Sequence, residues 1–116
     1  MMTRGDVWWV DFGPSIGGEI RKTRPAVIVS NDGANTTAAR LQRGVITIVP
    51  VTSNVARIYP FQIMLPAERC GLPMDSKAQA EQVRSIAVER VGQRVGQLPA
   101  ALISDLEDAL RLHLGL

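Results

Sequence analysis

The stretch KTRPAVIVS, residues 22–30, and the stretch IVPVTS, residues 48–53, decide the fold class. Each contains a run of β-branched apolar residues, which indicates a buried strand. Arg24 stands before the first run and Thr52 follows the second. A guanidinium and a hydroxyl held on neighbouring strands can bind a phosphate that is under nucleophilic attack. Arg24 and Thr52 are therefore the first candidates for a chemical site.

The rest of the composition excludes several common chemistries. The chain has one histidine, His113, and one cysteine, Cys70, and no CxxC or HExxH spacing. Such a sequence predicts no metal site, and a Cys–His or Ser–His nucleophile would depend on His113 alone. No glycine-rich phosphate-binding motif is present. We therefore expect a reaction without a metal or a cofactor.

Length and charge place the chain among small globular proteins. We expect its 116 residues to form one domain, 1–116. The N-terminus lacks a signal-peptide pattern and no apolar run is long enough to cross a membrane, so we expect a cytoplasmic protein without a membrane partner. Of the 13 cationic residues, 11 are arginines. Arginine binds phosphate with a two-pronged geometry, although a GC-rich genome would also favour arginine codons.

The periodicity predicts a mainly β fold with a C-terminal helix. From Pro99 onward the apolar residues follow helical spacing, and Pro99 suits the first helical position. Residues 34–41 form either a short helix or a loop, and residues 66–75 form a loop. We expect a small, strongly curved antiparallel barrel of five or six strands, at residues 5–12, 24–31, 44–51, 59–65 and 79–89, with a short strand framed by Gly92 and Gly96.

Several motifs in this order resemble the MazF/PemK family of bacterial toxin endoribonucleases. The resemblance covers nearly the whole chain. No single motif is specific, but their order and spacing are. They are RGDVW at 4–8, Gly18-Glu19, RPAV at 24–27, VPVTS at 49–53, YPF at 59–61 and EQVRSI at 81–86.

The resemblance implies a fold and a function. Members are SH3-like barrels of the CcdB/Kid/MazF type and act as homodimers. They cut single-stranded RNA at short preferred sequences without a metal, leaving a 2′,3′-cyclic phosphate and a 5′-hydroxyl, which inhibits translation and growth. The RNA can be mRNA, rRNA or tRNA. A cognate MazE-like antitoxin inhibits them by threading a disordered segment through the RNA groove.

The resemblance also gives roles to the two candidate residues. Arg24 matches the catalytic arginine of the family, and we assign it electrostatic stabilisation because a guanidinium does not readily give up a proton. Thr52 matches the family's hydroxyl residue after the VP dipeptide. The plain alternatives are an arginine paired with a carboxylate and a strand-ending threonine bonded to its own backbone.

The general base stays open between two carboxylates. Glu19 lies in the loop before Arg24, and Glu81 matches a position where some relatives carry an aspartate assigned as the base. One departure is Gln79, where a relative uses an arginine in catalysis. This departure leaves the proton relay unassigned.

Candidates for RNA binding surround these residues: Arg21, Lys22, Ser53, Gln82 and Arg84. Basic side chains position the nucleic-acid backbone, whereas contacts to base edges specify the sequence. Aromatic residues are few. Trp8 and Trp9 must point to opposite faces of their strand, and Tyr59 and Phe61 are expected mainly in the core.

Two other functions are compatible with this fold. A CcdB-like inhibitor of DNA gyrase would bind a topoisomerase without catalysis. A chain that resembles that family ends in Trp-Gly-Ile on its terminal helix, whereas this chain ends in Leu114-Gly115-Leu116. A family member that has lost activity would bind RNA without cutting it. The presence of both Arg24 and Thr52 argues against that second alternative.

Overall fold

The computed structural model describes residues 1–13 and 22–116 in full, together with the backbone of Pro14 and Arg21. Two single 3₁₀ turns, Ala80–Gln82 and Val88–Arg90, interrupt the second half of the chain. The regular elements are β1 Asp6–Pro14, β2 Arg21–Ile28, α1 Asp32–Leu41, β3 Val45–Thr52, β4 Gln62–Leu65, α2 Ala67–Cys70, β5 Ser76–Gln79, β6 Arg84–Ala87, β7 Val91–Gln97 and α3 Ala100–Leu114.

The strands form one antiparallel sheet in the order β4-β5-β3-β2-β1-β7, and β6 also pairs with β3. The predicted fold class, a mainly β antiparallel sheet with a C-terminal helix, is confirmed. The described residues contain seven strands rather than five or six. None of the helices in the described ranges is long and apolar enough to cross a membrane.

Both faces of the sheet are buried, which explains the unbroken apolar runs. On β2, Val27 enters one core, whereas Ala26 and Ile28 enter the other. Helix α3 covers the first core with Leu102, Leu106 and Ala109, and α1 contributes Ala38 to the second. Successive residues of a strand point to opposite faces, so a central strand with two cores must be apolar at consecutive positions.

Strand β3 changes its partner halfway along. Residues Val45 to Ile48 pair with β6, whereas Val51 and Thr52 pair with β5. Pro50 lies on β3 between the residues that pair with β6 and those that pair with β5. A residue without an N–H group is tolerated in a strand at such a break in the pairing.

The prediction of one strand over residues 79–89 is wrong. The structure divides this stretch into the end of β5, a turn closed by the bond from Val83 N–H to the Ala80 carbonyl at 3.1 Å, strand β6 and a second turn. The reason is the change of partner on β3. Because β5 and β6 pair with different halves of one strand, the chain must turn between them.

The prediction of a strand over residues 59–65 is wrong at its start. Strand β4 begins at Gln62, whose N–H donates to the Tyr59 carbonyl at 2.9 Å. Tyr59 is 42% exposed, and neither Tyr59 nor Phe61 belongs to either core cluster. The expectation that both rings are core residues is therefore wrong.

The remaining predictions differ from the structure mainly at element ends. Residues 34–41 are helical, and α1 already begins at Asp32 because the Asn31 side chain caps it by accepting from Ala34 N–H at 2.8 Å. The predicted loop at 66–75 contains the short helix α2. The C-terminal helix is confirmed, with Pro99 as its cap residue rather than its first helical residue.

Candidate functional site

The strand register places Arg24 and Thr52 side by side. Ala26 on β2 pairs with Pro50 on β3. Arg24 lies two residues before Ala26 and Thr52 lies two residues after Pro50, so both keep the face of that pair. Thr52 in turn pairs with Lys77 on β5. One row across the sheet therefore carries Arg24, Thr52 and Lys77.

Two further cations share this face. Arg84 on β6 pairs with Ile48, which lies on the same side of β3 as Pro50, and its guanidinium is 5.5 Å from the centre of the Phe12 ring. Lys22 is exposed on β2, two residues before Arg24. We call the set of Lys22, Arg24, Thr52, Lys77 and Arg84 the cationic face.

The charges of the cationic face are not neutralised within the described residues. None of its four cations has a carboxylate within salt-bridge distance there. Three arginines outside the face are paired: Arg4 with Glu107 at 2.8 Å, Arg94 with Asp6 at 3.5 Å and Arg111 with Asp108 at 2.9 Å. Uncompensated cations on one rigid surface create a positive potential that attracts polyanions.

Thr52 is oriented by its own backbone, and its hydroxyl hydrogen is not used in any bond within the described residues. Its Oγ1 accepts a hydrogen bond from Asn54 N–H at 3.2 Å. This is the strand-ending turn that the plain alternative describes. A hydroxyl also carries one donor hydrogen, so the same bond that fixes the oxygen leaves the O–H available to a phosphate oxygen.

A cleft of about 340 Å³ opens at the ends of β2 and β3. Arg24, Thr52 and Ser53 line it together with Trp9 from β1 and residues 72–74 of the segment between α2 and β5. Trp8, in contrast, packs against the core that contains Ala26 and Ile28. The two tryptophans thus lie on different sides of β1 as predicted, and Trp9, which pairs with Pro25, lines the cleft from the face of the sheet opposite to that of Arg24.

Glu81 lies apart from the row of Arg24 and Thr52. One carboxylate oxygen, Oε2, accepts from the Gln62 side-chain amide at 2.7 Å, and the other, Oε1, is buried with no hydrogen-bond donor among the described residues. Lys77 is the residue opposite Thr52, and Glu81 follows it by four positions, beyond the end of β5.

The other predicted residues lie at the margins of the site. Glu19 lies outside the described residues, and Arg21 is described for its backbone alone, at the start of β2. Ser53 is exposed at the mouth of the cleft, Gln82 is exposed in the turn after β5, and Gln79 is half-buried at the end of β5.

Sequence reasoning missed Lys77 and Gln62. Both are buried polar residues, at 7% and 6% exposure, on the two strands that follow β3. Buried lysines are rare unless they are partnered, and Lys77 Nζ donates to the Arg57 carbonyl at 2.7 Å. The alternation of Lys77 with the small residues Ser76 and Ala78 was the available signal, but residues 76–78 fell between the predicted loop at 66–75 and the predicted strand at 79–89.

The remaining reactive side chains do not join the site. Cys70 is buried at the end of α2, and this burial raises the pKa of its thiol, against a smaller lowering by Arg69. His113 is exposed on α3. In residues 1–13 and 22–116, no group of three or more His, Cys, Asp or Glu side chains could hold a metal ion.

Comparison with known proteins places the chain in a family. Residues 3–114 match the family model of the PemK-like, MazF-like toxins of type II toxin–antitoxin systems. The chain belongs to this family. A full-length relative, endoribonuclease MazF9 of Mycobacterium tuberculosis, is 58% identical over 116 residues, covering 100% of this chain and 98% of the relative. Endoribonuclease EndoA of Bacillus subtilis is 27% identical, covering 100% and 97%.

Solved structures of the PemK/MazF family share the fold. MazF of Deinococcus radiodurans superposes with a TM-score of 0.76 at 27% identity, covering 99% of this chain and 97% of that one. A mycobacterial endoribonuclease in complex with its cognate antitoxin superposes with a TM-score of 0.78 at 22% identity, covering 100% and 97%. The second likeness supports the fold alone.

Proposed function

We propose that this PemK/MazF toxin is an endoribonuclease that cuts single-stranded RNA at preferred short sequences without a metal ion. The ribose 2′-oxygen attacks the adjacent phosphorus, a new 2′-O–P bond forms, and the P–O5′ bond breaks. The products are a 2′,3′-cyclic phosphate and a 5′-hydroxyl. The 2′-hydroxyl proton passes to a base, and the leaving 5′-oxygen gains a proton. Because DNA lacks the 2′-hydroxyl, it is not a substrate.

The observation that carries this proposal is the placement of Arg24 beside Thr52 on the cationic face. The register gives both side chains a common row, and no carboxylate within the described residues neutralises Arg24. An unpaired guanidinium is available to a phosphate, and it can approach two oxygens at once. The names of the relatives as endoribonucleases support the same reaction.

The two residues stabilise charge that develops in the transition state. Arg24 donates to the non-bridging oxygens of the phosphorane, and the free O–H of Thr52 donates to one of them. Removing one such fixed donor from an enzyme site costs about 3–4 kcal/mol of transition-state stabilisation. Arg21, Lys22, Ser53, Gln82 and Arg84 bind the RNA strand on either side of the scissile phosphate.

Glu19 is the carboxylate that we propose as the general base. Glu81 is held by Gln62 and lies four residues past Lys77, the partner of Thr52, so its position favours a structural role. A positioned base contributes typically 10²–10⁴-fold to the rate. Glu19→Gln is therefore expected to lower kcat by that range while the affinity for uncleavable RNA stays unchanged.

The toxin acts in the bacterial cytoplasm, as a homodimer, and a cognate MazE-like antitoxin inhibits it. A solved structure of the related MazE–MazF pair from Deinococcus radiodurans supports such a partner. An acidic, disordered segment of the antitoxin would compete with RNA for the cationic face, since both are polyanions. Added antitoxin is expected to abolish cleavage and RNA binding together.

The test incubates the purified protein with a long single-stranded RNA in excess EDTA and maps the product ends. Arg24→Ala and Thr52→Ala are the site variants. Arg111→Ala, on α3 and paired with Asp108, is the matched arginine control. Discrete cuts with cyclic-phosphate ends, lost in both site variants and kept in the control, support the proposal. Absence of cutting by folded wild-type protein on RNA that covers all short sequence contexts contradicts it and favours a binding role such as gyrase inhibition.

A further inference from the structure

Two aromatic rings, exposed Tyr59 and half-buried Phe61, form a stacked pair beside the cationic face. The rings of Tyr59 and Phe61 lie 5.4 Å apart between centres and within 3° of parallel. Neither ring belongs to either hydrophobic core, and Tyr59 is 42% exposed. Flat aromatic surfaces open to solvent are where proteins stack unpaired bases of single-stranded nucleic acids.

Cations surround the Tyr59 ring. The guanidinium of Arg57 lies 5.6 Å from the ring centre and the ammonium group of Lys77 lies 5.9 Å from it. Arg57 is exposed and also donates to the Tyr59 hydroxyl at 3.3 Å, whereas buried Lys77 holds the segment through the Arg57 carbonyl. Because Arg57 is exposed and a guanidinium has five N–H donors, its other donors can contact a phosphate next to a base that stacks on the rings.

The stacked pair is adjacent to the phosphate site. Lys77 contacts the Tyr59 ring and is also the registered partner of Thr52. One lysine thus links the rings directly to the row of Arg24 and Thr52. A base on this pair would belong to a nucleotide close to the scissile phosphate rather than to a remote part of the strand.

Hydrogen bonds fix the rings before any ligand arrives. Tyr59 N–H donates to the side-chain oxygen of Gln62 at 3.1 Å, and the Gln62 amide donates to Glu81 at 2.7 Å. Glu81 therefore supports Tyr59 through Gln62. A preformed binding surface loses less conformational entropy when the ligand binds.

We propose that Tyr59 and Phe61 form a stacking platform for one unpaired base of the RNA substrate, next to the cut, with Arg57 on a flanking phosphate. In this arrangement Gln62 and Glu81 are positioning residues that hold the platform. The inference rests on the proposed endoribonuclease activity and adds a base-binding subsite to it. Parallel rings flanked by two cations that form no ion pair within the described residues fit a base with its phosphate better than they fit an apolar peptide side chain.

The test uses a 2′-O-methyl oligonucleotide that spans a cut site mapped with the wild-type protein, because such a strand binds but lacks the attacking hydroxyl. Affinity is measured for Tyr59→Ala, with Tyr59→Phe as the ring-retaining control and Leu112→Ala as a control for an exposed apolar residue on α3. Loss of one base stack is expected to weaken binding about tenfold to hundredfold. Tyr59→Phe and Leu112→Ala are expected to stay within threefold.

Cleavage adds a second readout. In Tyr59→Ala the rise in KM is expected to exceed the fall in kcat, and the base preference at one position near the cut is expected to relax. Gln62→Ala is expected to reproduce the KM effect without moving the position of the cut. Unchanged affinity and unchanged preference in both Tyr59→Ala and Phe61→Ala, with native thermal unfolding, would overturn the platform.

Two outcomes separate this inference from the function on which it rests. If the wild-type protein binds 2′-O-methyl homopolymers through Tyr59 but cuts no RNA, the proposed activity fails and the stacking platform stands. If Tyr59→Ala loses affinity only for an acidic antitoxin peptide and keeps its affinity for RNA, the rings are a protein-docking surface. That result overturns the platform while leaving the endoribonuclease proposal intact.

Discussion

The side-chain amide of Gln62 donates a 2.7 Å hydrogen bond to the Glu81 carboxylate, and this bond changes the interpretation of the acidic residue. The sequence made Glu81 one of two candidates for the general base, yet one of its oxygens accepts a bond from a neighbouring side chain. The other oxygen, Oε1, is buried and has no donor within the part of the chain that the structure describes. Substitutions at Glu81 therefore distinguish a structural carboxylate from a chemical one.

We expect Glu81→Gln to cleave RNA within about threefold of the wild-type kcat. The amide oxygen of glutamine can still accept from Gln62, and the loss of charge removes the penalty of burying a carboxylate with one unsatisfied oxygen. Glu81→Ala is expected to raise KM, because Gln62 then loses its partner. A fall of kcat by 100-fold or more in Glu81→Gln, with unchanged RNA affinity, would instead assign the base to Glu81.

Arg24→Lys is expected to lower kcat by about 10²-fold while keeping most of the RNA affinity. Lysine retains the charge but loses the two-pronged donor geometry that matches the equatorial oxygens of a phosphorane. Steady-state kinetics on the mapped cut site give the loss of kcat, and binding of the 2′-O-methyl strand gives the change in RNA affinity. Equal kcat values for arginine and lysine would show that only the charge at position 24 matters.

RNA binding is expected to weaken steeply with salt. Each phosphate neutralised by a cation contributes roughly −0.7 to the slope of log K against log salt for single strands. Arg84→Ala is expected to reduce that slope by about one such contribution, because Arg84 has no competing carboxylate within the described residues. Arg111→Ala, whose charge is compensated by Asp108, provides the control. Identical slopes in the two variants would remove Arg84 from the binding surface.

Cys70 is expected to make the fold less stable at alkaline pH. Burial raises the pKa of its thiol in the folded state above the ordinary value of 9.0. Above that value the unfolded chain releases the proton first, so the free energy of unfolding falls as pH rises until the folded thiol also titrates. Urea unfolding between pH 8 and 10 should show this slope in the wild type and a smaller one in Cys70→Ala. Equal pH dependence of the unfolding free energy in the wild type and in Cys70→Ala would contradict this prediction.

Gly96→Ala is expected to destabilise the protein by about 1–3 kcal/mol or more, because forcing atoms into a filled space shifts the backbone. A Cβ at Gly96 would overlap the carbonyl oxygen of Cys70 and lie 3.1 Å from the Gly71 Cα. Gly92→Ala is the matched control on the same strand, since its Cβ would meet Trp9 atoms at 3.5 Å and 3.7 Å, which is ordinary contact. Equal thermal midpoints for the two variants would refute the argument.

The sequence predicted the strands that are buried on both faces and the terminal helix. Apolar runs and helical spacing report burial directly, so β2, β3 and α3 were found within a few residues. It failed between residues 79 and 89, where the local pattern of one strand is indistinguishable from that of two strands joined by a turn. Which partner each half takes is decided by β3, far away in sequence.

The candidate site was predictable at Arg24 and Thr52 because both stand at the ends of apolar runs. Their common row, the pairing of Thr52 with Lys77 and the stacked rings of Tyr59 and Phe61 depend on register and on long-range contacts. Neither the register nor the long-range contacts can be read from amino-acid composition. The YPF motif looked like part of a strand because aromatic residues favour strands, and only the turn before Gln62 shows that the rings lie outside it.

The break at Pro50 has a consequence for local opening of the fold. The β4–β5 hairpin joins the rest of the sheet through two registered residues of β3, Val51 and Thr52. Amide protons of β4 are therefore expected to exchange with deuterium sooner than those at the centre of β2, since cooperative units with few shared bonds open at lower free energy. Lys77, a member of the cationic face that we propose for RNA binding, would then lie on a unit that opens separately. A bound strand would slow its exchange more than that of the sheet centre.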